Sequence, residues 1–218
     1  MAKKNLIVFD IDGTLTDTVE IHQNAFRKSL QSIGIPEFSN SFGTFKHHTD
    51  SHIVKTIYES TFHQNCDKTI IEEFEEYLYK EIVQHKIEEI KGAKKIVEEL
   101  ETNTDFGVCF ATGSLYKPAV LKLERIGINF KSIQVVASNE LEEREQIVNK
   151  AIEKSKAYYK TEHFDRIISF GDGLWDLITA HNLAIDFVGI GQANIDTLKN
   201  KGMKKHYPDF EHFQLSAL

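Results

Sequence analysis

Residues 6–18 read Leu6-Ile7-Val8-Phe9-Asp10-Ile11-Asp12-Gly13-Thr14-Leu15-Thr16-Asp17-Thr18. Four apolar residues run straight into two aspartates and a glycine, the pattern of a buried strand whose carboxyl end opens onto something polar. From Val19 to about Lys91 the periodicity is helical instead. Between Ile70 and Ile90, for example, Ile71, Phe74, Leu78, Ile82 and Ile90 recur among glutamates and lysines. After Gly92 strand and helix patterns alternate. Strands are expected at about 106–111, 133–137, 167–170 and 185–190, and helices at about 116–126, 143–159, 174–181 and 194–200. Strands separated by helices of this length pair in parallel, because each crossover must cover one face of the sheet. The fold class is therefore α/β, a doubly wound parallel sheet (Rossmann-like) with a small α-helical cap domain. Residues 1–17 and 91–218 form the expected core, and residues 18–90, too long for a loop, the expected cap.

The composition restricts what such a chain can do. Its 218 residues, 41% hydrophobic and 27% charged, suffice to bury a core without disulfides or a structural metal. With 26 basic against 33 acidic residues the net charge is −7 and no basic tract occurs, so nucleic acid is not an expected partner. The longest apolar runs fall far short of a membrane span. The start, Met1-Ala2-Lys3-Lys4-Asn5, leads within a few residues to Asp10 and Asp12, which does not fit a signal peptide. Cys66 and Cys109 lie far apart, and the second falls inside a strand pattern, so a reduced, cytoplasmic protein is expected. A monomer would suffice, although the sequence does not set the oligomeric state.

In open parallel sheets, ligands bind outside the carboxyl ends of the strands. Those ends carry Asp10-Ile11-Asp12-Gly13-Thr14, Thr112-Gly113-Ser114 and Gly171-Asp172-Gly173-Leu174-Trp175-Asp176. Carboxylates gathered at this density need a cation to stay ionised in a dry pocket, and hard oxygen ligands favour Mg²⁺.

Three segments resemble one family. Phe9 to Thr18 is similar to the DxDGT(L/V)xD(S/T) signature of haloacid-dehalogenase-like (HAD) hydrolases, Ala111-Thr112-Gly113-Ser114 to their second motif, and Gly171-Asp172-x-x-x-Asp176 to their fourth. The resemblance covers essentially the whole chain. It points to the branch with a helical cap after the first strand, which includes phosphoglycolate phosphatases and beta-phosphoglucomutases. It implies that Asp10 is the nucleophile, forming an aspartyl-phosphate, and that Asp12 is the general acid and base. Dehalogenases lack that second aspartate. Thr112 with the Gly113 amide would hold phosphoryl oxygens, beside Ser114. Metal ligation falls to Asp10, Asp12 (through its backbone carbonyl), Asp172 and Asp176. The third-motif cation matches Arg144 at the start of a helix rather than Lys150, nearly two turns further on.

Several features have plainer readings. Asp172 alone would be read as a helix cap, Lys117 as a solvated helix residue, and Phe42, Phe45 and Trp175 as packing. Among His47, His48, Asp50 and His52, the i, i+4 histidine pair could chelate a metal. A surface or substrate-facing role, with Thr49 or Asp50 capping a helix, is preferred. His47 and His48 are the expected substrate-binding residues of the cap, and His48 stands where many relatives carry glycine. The expected function is a Mg²⁺-dependent phosphatase of a small organic phosphomonoester; a phosphosugar mutase and a non-catalytic binding module are the alternatives.

Overall fold

The computed structural model describes residues 2–36, 38 and 42–217. Strand β1 (Asn5–Phe9) leads into three helices, α1 (Val19–Ser32), α2 (Asp50–Phe62) and α3 (Lys68–Ile82). The alternating region follows as α4 (Ala93–Asn103), β2 (Phe106–Ala111), α5 (Tyr116–Arg125), β3 (Val135–Val136), α6 (Arg144–Tyr159), β4 (Arg166–Gly171), α7 (Leu174–Asn182), β5 (Asp186–Ile190), α8 (Ile195–Asn200) and β6 (His206–Tyr207). All six strands are parallel, in the order β3-β2-β1-β4-β5-β6. The strand order reverses beside β1, which places its carboxyl end at the switch point of the sheet.

The two-residue period of the strands sends alternate side chains to opposite faces. Ile7 and Phe9 join Val108, Phe110, Ile168 and Phe170 against α4, α5 and Phe210. Leu6 and Val8 join Cys109, Ala111 and Val136 against Ile147, Val148, Ala151 and Ile152 of α6. The helical segment has a separate apolar cluster built on Phe26, Leu30, Val54, Phe74, Leu78 and Ile82, which Leu115, just before α5, and Leu121 of α5 also enter. Two short runs connect this segment to the sheet. Asp17 N donates to Glu88 O (2.9 Å), Ile90 N donates to Leu15 O (2.9 Å), and Thr16 bridges Glu89 in antiparallel fashion.

Three expectations are corrected. The 70–90 periodicity does not mark one helix: α3 ends at Ile82, and Ile90 lies beyond it, packed on the sheet's core. The strand expected at 133–137 shrinks to Val135–Val136, because residues 132–134 form a 3₁₀ turn. That turn is fixed by buried Gln134, whose amide donates to Glu101, Val108 O and Tyr159. Strand β6 went unread, since two half-buried residues carry no periodic signal. Among the described residues, no helix is long and apolar enough to cross a membrane.

Candidate active site

Asp10 follows β1 and is still held in register, its N–H donating to Phe170 O at 2.9 Å. The chain then turns sharply, with the Ile11 carbonyl accepting from the N–H groups of Leu15 and Thr16 (2.9 and 3.0 Å). Gly13 allows the turn: its φ is +81°, and a Cβ there would stand 2.4 Å from Asp172 Oδ2. Asp172 is thereby packed against the turn, while Asp176, in the first turn of α7, accepts from Gly173 N at 3.1 Å. The result is a buried trio, Asp10, Asp172 and Asp176, each offering an oxygen within 4.8 Å of the others.

Arg144, the first residue of α6, reaches into the trio. Its Nη1 lies 3.1 Å from Asp10 Oδ1 and its Nη2 3.4 Å from Asp176 Oδ1. Lys150 is exposed and lines a different depression. Burial, then the charge of Asp176, pushes the carboxyl of Asp10 up to about 7 against the pull of Arg144. Asp172 is raised by burial and by Asp10, and Asp176 chiefly by burial.

Asp12 faces elsewhere. Its carboxylate is turned from the trio toward Lys122 Nζ, 2.6 Å from Oδ1 and 2.8 Å from Oδ2, and accepts from Thr18 Oγ1 at 2.5 Å. Burial alone would raise its pKa, but Lys122, with help from His22 and Thr18, holds it down at about 2. The Asp12 side chain is thus satisfied by a buried lysine and not by the cluster, which leaves its backbone carbonyl as the atom the resemblance assigns to the metal.

Beyond β2, the Thr112 hydroxyl accepts from Ser114 N at 3.1 Å, and the Ser114 hydroxyl is buried with no partner among the described residues. Gly113 lies under the helical segment, where a Cβ would come within 2.4 Å of His48 O, and its carbonyl accepts from Asp50 N at 2.7 Å. A cavity of about 110 Å³ is bounded by Asp10, Asp12, Thr112, Gly113, Arg144 and His48, among others.

The histidine cluster separates. His48 enters that cavity and stacks on Trp175, with ring centroids 4.4 Å apart. His47 does not line it, facing Glu143 Oε1 at 3.6 Å and the ring of His52 instead. His52 Nδ1 sits 3.1 Å from Glu142 Oε2, so the i, i+4 pair does not converge on a metal. Thr49 is the N-cap residue of α2, its carbonyl accepting from Ile53 N, but its hydroxyl makes no capping bond and donates to Glu142 O instead. Trp175, read as packing, is a wall of the cavity. Burial and the charge of Arg144 lower the pKa of His48, which leaves it neutral at pH 7.

Lys122 and His22 are the residues that sequence reasoning missed, and Asp50, read as a helix cap, joins them through His22. One signal existed: Lys122 shares the buried face of α5 with Ala119 and Leu123, where a lysine has no place unless it is paired.

Residues 7–190 match the family model of haloacid dehalogenase-like hydrolases, and the chain belongs to that family of enzymes. Solved structures agree in fold. A hydrolase from Pseudomonas syringae is 21% identical with a TM-score of 0.70, over 94% of this chain and 95% of that one. A HAD hydrolase of family IA, variant 3, from Entamoeba histolytica is 17% identical with a TM-score of 0.74, over 97% and 96%. CbbY from Rhodobacter sphaeroides in complex with phosphate is 16% identical with a TM-score of 0.71, over 96% and 95%. No curated protein matches the sequence.

Proposed function

We propose that this protein is a Mg²⁺-dependent phosphatase of a small organic phosphomonoester, acting through an aspartyl-phosphate on Asp10, with residues 18–90 serving as a cap. One observation carries this reading. A buried carboxylate at the sheet's switch point faces a buried arginine, between two further carboxylates and the Thr112–Ser114 loop. The phosphate held by CbbY supports a phosphoester as the ligand class.

The residues fit a divalent cation. Four carboxylates (Asp10, Asp12, Asp172, Asp176) face two cations (Arg144, Lys122), an excess of two negative charges. Asp172 Oδ1 is buried and has no partner among the described residues. Asp10, Asp172 and Asp176 would hold Mg²⁺, which supplies charge neutralisation for the cluster and for a bound phosphoryl group.

The chain's own groups account for the chemistry. An Asp10 oxygen attacks phosphorus as the bond to the leaving oxygen breaks, protonated Asp12 gives that oxygen its proton, and Arg144 balances charge on Asp10 and the phosphoryl group. Thr112, Gly113 and Ser114 orient the phosphoryl oxygens. Water then attacks the phosphoenzyme, giving its proton to Asp12, and inorganic phosphate leaves as the Asp10 carboxylate is restored. At rest Asp12 is ionised, the form this second step requires; its pair with Lys122 opposes the protonation that an alkoxide leaving group requires in the first.

A screen of the purified protein against phosphorylated metabolites, with and without Mg²⁺, tests the reading. No turnover across the panel would sink it in favour of a binding module. A strict requirement for a sugar bisphosphate activator would replace it with a mutase.

Metal and protons compete for the same oxygens. Asp10 binds its proton near pH 7 in the folded chain against 3.8 ordinarily, so the folded state holds the extra proton between these values. The metal-free protein therefore loses stability as pH rises through that window. Mg²⁺ is expected to raise Tm more at pH 8 than at pH 5, and EDTA to abolish activity that Mg²⁺, but not Ca²⁺, restores. An equal Tm shift at both pH values would place the ion elsewhere.

Specificity is assigned to the residues the helical segment lowers onto the site, His48 foremost. His48→Ala is expected to change KM and the ranking of metabolites while altering the rate on p-nitrophenyl phosphate little. His47→Ala, outside the catalytic cavity, should do less. An unchanged ranking in His48→Ala would leave His48 as a packing residue.

A further inference from the structure

Lys122 is fully buried (0% exposed), which holds for no other lysine among the described residues. Its ammonium has three protons and three partners: Asp12 Oδ1 at 2.6 Å, Asp12 Oδ2 at 2.8 Å and His22 Nδ1 at 2.9 Å. An ammonium only donates, so His22 Nδ1 accepts and its proton sits on Nε2. Nε2–H then donates to Asp50 Oδ1 at 2.9 Å. Asp50 Oδ2 accepts from Leu115 N at 3.0 Å, and Asp50 N donates to Gly113 O at 2.7 Å. The chain of bonds starts on Asp12 and ends on the loop after β2, passing through α5, α1 and α2.

Stability alone does not explain this arrangement. A buried ion pair seldom outperforms well-packed apolar side chains of the same volume, and Lys122 stands between Ala119 and Leu123 on the face α5 buries. What the pair does provide is a fixed carboxylate, with both oxygens of Asp12 engaged and the network tied to the loop that carries Thr112 and Ser114.

We infer that Lys122 is a positioning residue, which with His22 and Asp50 sets the Asp12 carboxylate for hydrolysis of the phosphoenzyme. The inference rests on the phosphatase reading above. In the step concerned, water forms a bond to phosphorus, its proton passes to Asp12, and the bond from phosphorus to the Asp10 oxygen breaks. A displaced Asp12 slows this step and spares formation of the phosphoenzyme from an ester whose alcohol departs without a proton.

The test uses p-nitrophenyl phosphate with Mg²⁺. Lys122→Met, close in volume, is expected to lower kcat by about 10²-fold. KM should fall in parallel, leaving kcat/KM within about fivefold, because kcat/KM reports only the steps up to release of nitrophenol. Acid quenching should trap more phosphoenzyme, seen by intact mass. In an Asp12→Asn background, Lys122→Met should cost no more than about threefold further, since Lys122 acts through Asp12. His22→Phe removes the middle of the network while the Lys122–Asp12 pair stays intact and Asp50 keeps its bond from Leu115 N, and should show the same split at smaller amplitude; it decides the matter if Lys122→Met does not fold. An unchanged kcat, an equal fall in kcat and kcat/KM, or full additivity with Asp12→Asn would overturn the inference. If the wild-type protein has no turnover, or Asp10→Asn retains it, the phosphatase reading falls and takes this inference with it. A wild type that turns over through Asp10, but variants that lack the split, would remove the inference alone.

Discussion

Asp10→Asn is expected to lower kcat by about 10⁴-fold or more, because the amide keeps the shape of the side chain but cannot accept a phosphoryl group. The fold should survive. Asp10 carries an energetic cost in the metal-free protein, its pKa raised by burial and by Asp176. A neutral amide relieves that repulsion, while Arg144 keeps Asp176 at 3.4 Å. The metal-free Tm of Asp10→Asn should therefore equal or exceed that of the wild type at pH 8. Steady-state assays on the best substrate of the panel, with thermal melts in EDTA, check both halves. Turnover near the wild-type level would exclude an aspartyl-phosphate at this residue.

Arg144→Ala should show the opposite pairing of effects, with both activity and stability lost. Removing the cation that faces Asp10 is expected to cost about 10²–10³-fold in rate, the usual range for a lost electrostatic contact in a transition state. It also strands two buried carboxylates, and breaking a buried pair from one side costs about 3–5 kcal/mol. Added Mg²⁺ should restore much of the stability and little of the rate. Lys150→Ala, at an exposed position, should be silent in both assays. A silent Arg144→Ala with an inactive Lys150→Ala would reverse the assignment.

Much of this molecule was legible from local pattern. The apolar run of β1, the alternation after Gly92 and the aspartates at strand ends are decided by neighbours in sequence, because periodicity and turn chemistry act over a few residues. Parallel pairing then brings the strand ends together wherever the crossovers are helices, so that Asp10, Thr112 and Asp172 could be assigned to one edge of the sheet before any coordinate was known. The same local logic failed at Ile133, where a buried glutamine finds its partners more readily in a 3₁₀ turn than in a strand.

Local pattern names no partner across the molecule; the family resemblance pointed to Arg144 as the cation of the site, and the other pairings were decided by tertiary structure. Arg144 meets Asp10 across 134 residues of chain, and Lys122 meets Asp12 across 110. His48 meets Trp175 because the segment just before α2 is brought down over the first turn of α7. From the sequence, Lys122 showed only as a lysine on an apolar face, and Asp12 only as a carboxylate beside a glycine turn. A charge in a dry interior must find an opposite charge, but a one-dimensional pattern states that need without naming the partner. The choice falls to the group that packing places within about 3 Å, and packing depends on how the helical segment closes over the sheet.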